Sequence, residues 1–145
     1  MLKGIDPLLP PELLAILAAM GHGDELAVVD ANFPAAACAQ RLVRIPGAGS
    51  PRVLEAVLAL LPLDSFVDEP ALCMQVVGDP QAEPEVCREF RAILARTQAR
   101  PVPLGWLERH AFYERARQAF AIVQTGERRF YGNILVKKGV IPPEE

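Results

Sequence analysis

No apolar run in the sequence reaches the roughly 18–20 residues that a bilayer-spanning helix needs, so no stretch reads as a membrane segment. Basic residues are thinly spread. The only doublets are Arg128-Arg129 and Lys137-Lys138, the formal net charge is −3, and aromatic residues make up 6%. Binding of nucleic acid rests on a clustered basic surface, and binding to a membrane surface rests on a basic amphipathic face. Composition argues against both. The cysteines are three, Cys38, Cys73 and Cys87, and they stand far apart. An odd, dispersed set builds neither a disulfide framework nor a Cys-x-x-Cys metal site, so buried thiols in a reducing cytoplasm are expected. Met1-Leu2-Lys3-Gly4-Ile5-Asp6-Pro7 has no charged region leading into an apolar core, and no signal peptide is expected from it. A glycine-rich phosphate loop, a nucleophile elbow, internal repeats and low-complexity segments are also missing.

What is abundant is apolar mass. Of 145 residues 51% are hydrophobic, and the mean hydropathy of +0.18 is high for a small chain without membrane segments. The length suits one domain, residues 1–145, with a sizeable core. The apolar surplus points to a subunit interface, hence to a homo-oligomer.

Periodicity alternates between helix and strand. Pro10, Pro11 and Glu12 start a helix carrying Leu13, Leu14, Ile16 and Leu17, with Gly21 as its closing residue. Strands are expected at 26–29, 42–45, 72–77, 103–107, 120–124 and 133–137. Between them fall a helical turn at 35–40, a helix from Ser50-Pro51 to Leu61 with Ser50 as N-cap, and helices at 84–97 and 111–119. This order predicts a layered α/β domain with a largely parallel sheet, and the short link between the last two strands predicts one antiparallel neighbour. Ligands gather at the carboxyl ends of strands in such sheets, where Asp30 lies.

Chemistry concentrates around Gly21-His22-Gly23 and Asp30. An imidazole exchanges protons near neutral pH, and the carboxylate would meet it if the strand returned its end to the glycine turn. Read locally, His22 is more often a structural turn residue, and Asp30 is as readily a cap on nearby backbone as a functional carboxylate. The spacing of His22, Asp24, Glu25 and Asp30 fits no established zinc pattern. Arg109 precedes a helix, where the dipole disfavours a cation, so another task is implied for it. Tyr131-Gly132-Asn133 reads locally as an ordinary turn, yet it sets a phenol and an amide around a glycine, groups that donate to and accept from sugar hydroxyls. Local chemistry stops at a proton-transfer site with hydroxyl-binding helpers.

Taken together, Met1-Leu2-Lys3-Gly4-Ile5, Pro11-Glu12-Leu13-Leu14, the stretch 20–25, Asp30-Ala31-Asn32-Phe33-Pro34 and Leu61-Pro62-Leu63-Asp64 resemble the ribose pyranase/fucose mutarotase family. Phe112-Tyr113-Glu114-Arg115-Ala116, Thr125-Gly126-Glu127 and Tyr131-Gly132-Asn133-Ile134 continue the match, in order, and favour the fucose mutarotase branch. The resemblance implies a three-layer α/β/α domain in a ring-shaped homo-oligomer, commonly a decamer, with sites near subunit contacts. It also implies interconversion of the α and β anomers of L-fucose without cofactor or metal. His22 would transfer protons, and Asp30, Arg109, Tyr131, Gly132 and Asn133 would bind the sugar. Two alternatives stay open: pyranose–furanose interconversion of D-ribose, and a non-catalytic monosaccharide-binding ring.

Overall fold

Buried side chains alternate along the strands, and that alternation dictates the architecture. The computed structural model describes residues 1–144. In β1 (Glu25–Val29), Leu26 and Val28 enter one apolar cluster while Ala27 and Val29 enter another, so both faces of the sheet are covered. The first cluster is filled by α1 (Pro11–Ala19), α3 (Ser50–Leu58) and α4 (Glu85–Thr97), through Leu13, Leu17, Val53, Leu54, Val57, Phe90 and Leu94. The second is filled by α2 (Ala35–Cys38) and α5 (Arg109–Gln118), through Ala35, Cys38, Phe112 and Ala116. Phe90 and Phe112 are fully buried on opposite sides, and burial of each such ring stabilises by about 1.5–3 kcal/mol.

The remaining strands are β2 (Leu42–Ile45), β3 (Ala71–Met74), β4 (Leu104–Leu107), β5 (Ala121–Thr125) and β6 (Ile134–Lys137). They form one six-stranded mixed sheet in the order β2-β5-β1-β6-β3-β4. β6 runs antiparallel to both of its neighbours, β1 and β3, and the other pairs are parallel. The expected antiparallel strand is therefore present, but it does not pair with β5. The link from β5 to β6 passes the carboxyl end of β1, so β6 enters between β1 and β3 with its amino end beside their carboxyl ends.

Three local expectations need correction. Met20, in extended conformation, closes α1, ahead of Gly21. Gly49 is the N-cap of α3, and the Ser50 N–H is taken by the Glu127 carboxylate. β3 ends at Met74, because Gln75 continues with a backbone bond to Leu107 and Val76 folds into a turn with Asp79. Among the described residues no helix is long and apolar enough to cross a membrane.

Candidate active site

A cavity of about 420 Å³ opens where the parallel strands end, lined by Asp30, Asn32, Phe33, Met74, Val77, Arg109, Tyr113, Phe130, Tyr131 and Asn133. Asp30 follows β1, Met74 closes β3, Arg109 starts the helix after β4, and Tyr131 and Asn133 lead into β6. Because β6 is antiparallel, its entry segment reaches the same edge that the parallel strands leave. Of the residues expected from sequence, the fold thus brings Asp30, Arg109, Tyr131 and Asn133 around one cavity.

Asp30 and Asn133 are both buried and hold each other. The Asp30 N–H donates to Asn133 Oδ1 at 2.8 Å, and Asp30 Oδ1 accepts from the Asn32 N–H at 3.0 Å. Burial pushes the Asp30 carboxyl above the ordinary carboxylate value. Bonds from the Asn32 and Phe33 backbone, the Asn133 side chain and the Gly132 backbone offset only part of that push. Gly132 sits behind the lining. A Cβ there would meet Glu127 Cγ at 2.7 Å and Ser50 Oγ at 3.0 Å, so any side chain at this position would have to displace them.

Tyr131 occupies the left-handed region, φ 64°, which costs a non-glycine residue roughly 1–2 kcal/mol. Its surroundings hold it there. The Val77 N–H donates to its phenol oxygen at 3.0 Å, and the Cys87 thiol donates to its carbonyl. Arg109 lies in the first turn of α5, an unfavourable place for a cation. The Glu108 carboxylate offsets this by accepting from the His110 and Ala111 N–H groups. Arg109 Nε–H donates to the Tyr113 phenol oxygen at 3.0 Å, which aims the guanidinium at the cavity.

His22 lies elsewhere. It occupies a turn before β1 in which Asp24 N–H bonds the Gly21 carbonyl, and Gly23 takes the positive φ of 89° that such a turn requires. The five residues of β1 then separate His22 from Asp30, and at ~3.3 Å per extended residue the strand alone spans roughly 16 Å. The meeting of His22 with Asp30 across their shared strand does not occur within one chain. His22 Nε2 instead lies 3.0 Å from Asp64 Oδ1, and its ring packs on Phe66 at 5.2 Å between centroids. Asp24 and Glu25 do not join it: Asp24 accepts from the Gly21 N–H and Glu25 pairs with Arg115.

Sequence reasoning missed Tyr113, Phe33, Phe130, Met74 and Val77. Tyr113 had a signal, since it stands one helical turn after Arg109 on the same face. The apolar members had none, because their convergence depends on the order of the strands.

The cavity therefore offers a buried carboxyl, a guanidinium, two phenols and two side-chain amides beside an apolar wall, a set suited to a small polyhydroxylated molecule. Comparison with known proteins agrees with that chemistry. The model of the RbsD / FucU transport protein family matches residues 3–141. The chain is 47% identical to the fucose mutarotase of Homo sapiens, over 97% of this chain and 94% of that protein. It is 44% identical to the L-fucose mutarotase of Actinobacillus pleuropneumoniae serotype 5b, over 98% and 99% respectively. The crystal structure of the fucose mutarotase from Streptococcus pneumoniae in complex with L-fucose superposes with a TM-score of 0.91 at 41% identity, covering 97% of this chain and all of that one. On a family match over nearly its whole length, the chain belongs to the RbsD / FucU transport protein family.

Proposed function

We propose that the protein is an L-fucose mutarotase, an isomerase that interconverts the α and β anomers by opening and closing the pyranose ring. The observation that carries this reading is the convergence of Asp30, Arg109, Tyr131 and Asn133 on one cavity, in a chain 44–47% identical to named fucose mutarotases. Hydroxyls of the sugar are held by the carboxyl, guanidinium, phenol and amide. L-Fucose carries a methyl group where most hexoses carry a hydroxymethyl group, and Phe33, Met74, Val77 and Phe130 give that group and the C–H faces apolar contact.

The reaction asks for proton transfer alone. A base removes the proton of the anomeric hydroxyl, the C1–O5 electron pair passes to O5, and O5 is protonated while C1=O1 forms. The free aldehyde turns about its C1–C2 bond, and the reverse steps close the ring on its other face. A positioned acid or base contributes about 10²–10⁴-fold. His22 is the proposed proton carrier, supplied to the cavity of one copy by a neighbouring copy in a ring-shaped oligomer, with a decamer as the assembly the resemblance implies. Support comes from the half-exposed His22 ring beside a Phe66 that is 74% exposed, and from the exposed Phe130 and Val77 at the cavity mouth. The whole chain acts as one domain in this reading. Its three unpaired thiols suit the reducing cytoplasm.

Saturation-transfer NMR on equilibrated L-fucose tests the function. Protein should raise α/β exchange above the spontaneous rate, and His22→Ala should remove most of the increase while circular dichroism stays native. D-Ribose and D-galactose in parallel define the preferred sugar. Identical exchange with and without the wild-type protein would sink the proposal.

A further inference from the structure

We propose that Glu127 is a positioning residue for the cavity, holding the turn after β1 and the segment entering β6 at one spacing so that Asp30 and Asn133 meet the sugar preformed. That the ligand is a sugar rests on the mutarotase reading; the clamp does not. Glu127 does not line the cavity, so its effect on a ligand passes through residues that do. Its backbone serves one side. The Glu127 carbonyl accepts the N–H of Ala31, directly after Asp30, at 2.9 Å. The Glu127 N–H donates to Thr125 Oγ1 at 3.1 Å, and that hydroxyl donates to the carbonyl of Val29, directly before Asp30, at 2.8 Å. Both neighbours of Asp30 are thus tied to the 125–127 turn. The turn itself is wedged in place. A Cβ on Gly126 would lie 2.1 Å from the Pro46 carbonyl oxygen, and the Gly126 N–H donates to the Ala48 carbonyl at 2.8 Å.

The side chain serves the other side. Glu127 Oε2 accepts the Arg129 N–H at 3.2 Å and Nε–H at 3.0 Å, and Oε1 accepts from Arg129 Nη2 at 3.0 Å. A two-point pairing of guanidinium with carboxylate fixes direction as well as distance. The Ser50 N–H, at the open amino end of α3, donates to the same carboxylate. On its outer side Arg129 is held by Glu89 of α4. Gly132 then lies against Glu127 Cγ, and the chain passes through the left-handed Tyr131 to Asn133, whose Oδ1 accepts the Asp30 N–H. One residue therefore grips both segments behind the place where they meet. The Ser50 hydroxyl is buried and has no partner among the described residues. Packing under Gly132 can thus be changed at Ser50 while its N–H bond to Glu127 is kept.

The test joins exchange kinetics on L-fucose to amide hydrogen exchange. Glu127→Gln keeps the backbone bonds and the side-chain size but sets an amide N–H₂ against the Arg129 donors. It should raise KM roughly 10-fold with kcat within about threefold of wild type, the pattern of lost binding geometry. In the sugar-free variant the Asp30 N–H should exchange roughly 10-fold faster relative to the Val28 N–H, a comparison that removes any fall in global stability. Ser50→Ala should leave KM and that ratio unchanged. A folded Glu127→Gln protein with wild-type KM, in which Asp30 and Val28 speed up together, overturns the proposal and leaves Glu127 a stabilising residue only. Should Glu127→Gln not fold, Arg129→Lys, which keeps the charge without the fork, decides by the same two readings. An Arg129 N–H that exchanges as an unprotected amide in the sugar-free wild type overturns the clamp whatever the variants do. Wild-type protein without anomer exchange, together with a freed Asp30 N–H in Glu127→Gln, refutes the mutarotase reading and upholds the role of Glu127.

Discussion

Asn133 ties the cavity to the sheet. Its amide oxygen accepts the buried Asp30 N–H, and its side chain also steadies the Asp30 carboxyl. Leaving a buried N–H without a partner costs about 1–3 kcal/mol. Asn133→Ala should therefore lower Tm by several degrees and raise KM for L-fucose, a pairing that thermal melts and exchange kinetics would reveal together. Arg109 should behave differently. It is exposed, and its guanidinium forms a fork that a lysine ammonium lacks. Arg109→Lys should raise KM several-fold with Tm unchanged. A fall in kcat at constant KM would instead place Arg109 in the proton transfer. Arg109 stood out in the sequence as a cation just ahead of an expected helix, whereas Asn133 read locally as part of an ordinary turn and gained a sugar-binding role only from the family resemblance. Tyr113 was not singled out, although its place one turn after Arg109 carried the signal.

The strands and helices were legible because their apolar residues recur at the right periods, and their limits differ from expectation by a few residues at most. What could not be read locally was the order of the strands. β6 lies between β1 and β3, so its register with each depends on partners more than 60 residues away along the chain. That placement carries Tyr131, Gly132 and Asn133 to the edge where β1 ends. The separation of His22 from Asp30 was readable in principle, since an extended strand holds its two ends apart. The segment entering β6 also depends on close packing. Gly132→Ala would force Glu127 and Ser50 aside, so it should move the Asp30–Asn133 pair, raise KM and lower Tm. Native Tm and KM in that variant would show that the segment yields without cost to the cavity.

Charge couples the molecule to pH through a few buried carboxylates. Glu127 is buried, and bonds to Arg129, from both its side chain and its N–H, hold it below the ordinary value against the opposing effect of burial. A carboxyl whose folded value is depressed contributes stability above its unfolded value, near 4.3 for glutamate, and loses it as pH falls through the folded value. Asp64 acts with the same sign. Melting temperature should hold through neutral pH and fall below about pH 4.5, with Glu127→Gln lower at pH 7 and less steep in acid. The proposed assembly makes a separate demand. Asp30 and His22 lie at opposite ends of β1, so a site that uses both must draw them from two copies. His22→Ala and Asp30→Asn proteins, each inactive alone, should then regain activity when unfolded and refolded together. Random mixing in a closed ring gives about a quarter of the sites both intact groups. The exchange rate should rise towards that fraction of wild type on mixing, while the two variants refolded apart and then combined stay silent. Failure of the co-refolded mixture to exceed either parent, with hetero-oligomers confirmed by native mass spectrometry, would exclude a shared site.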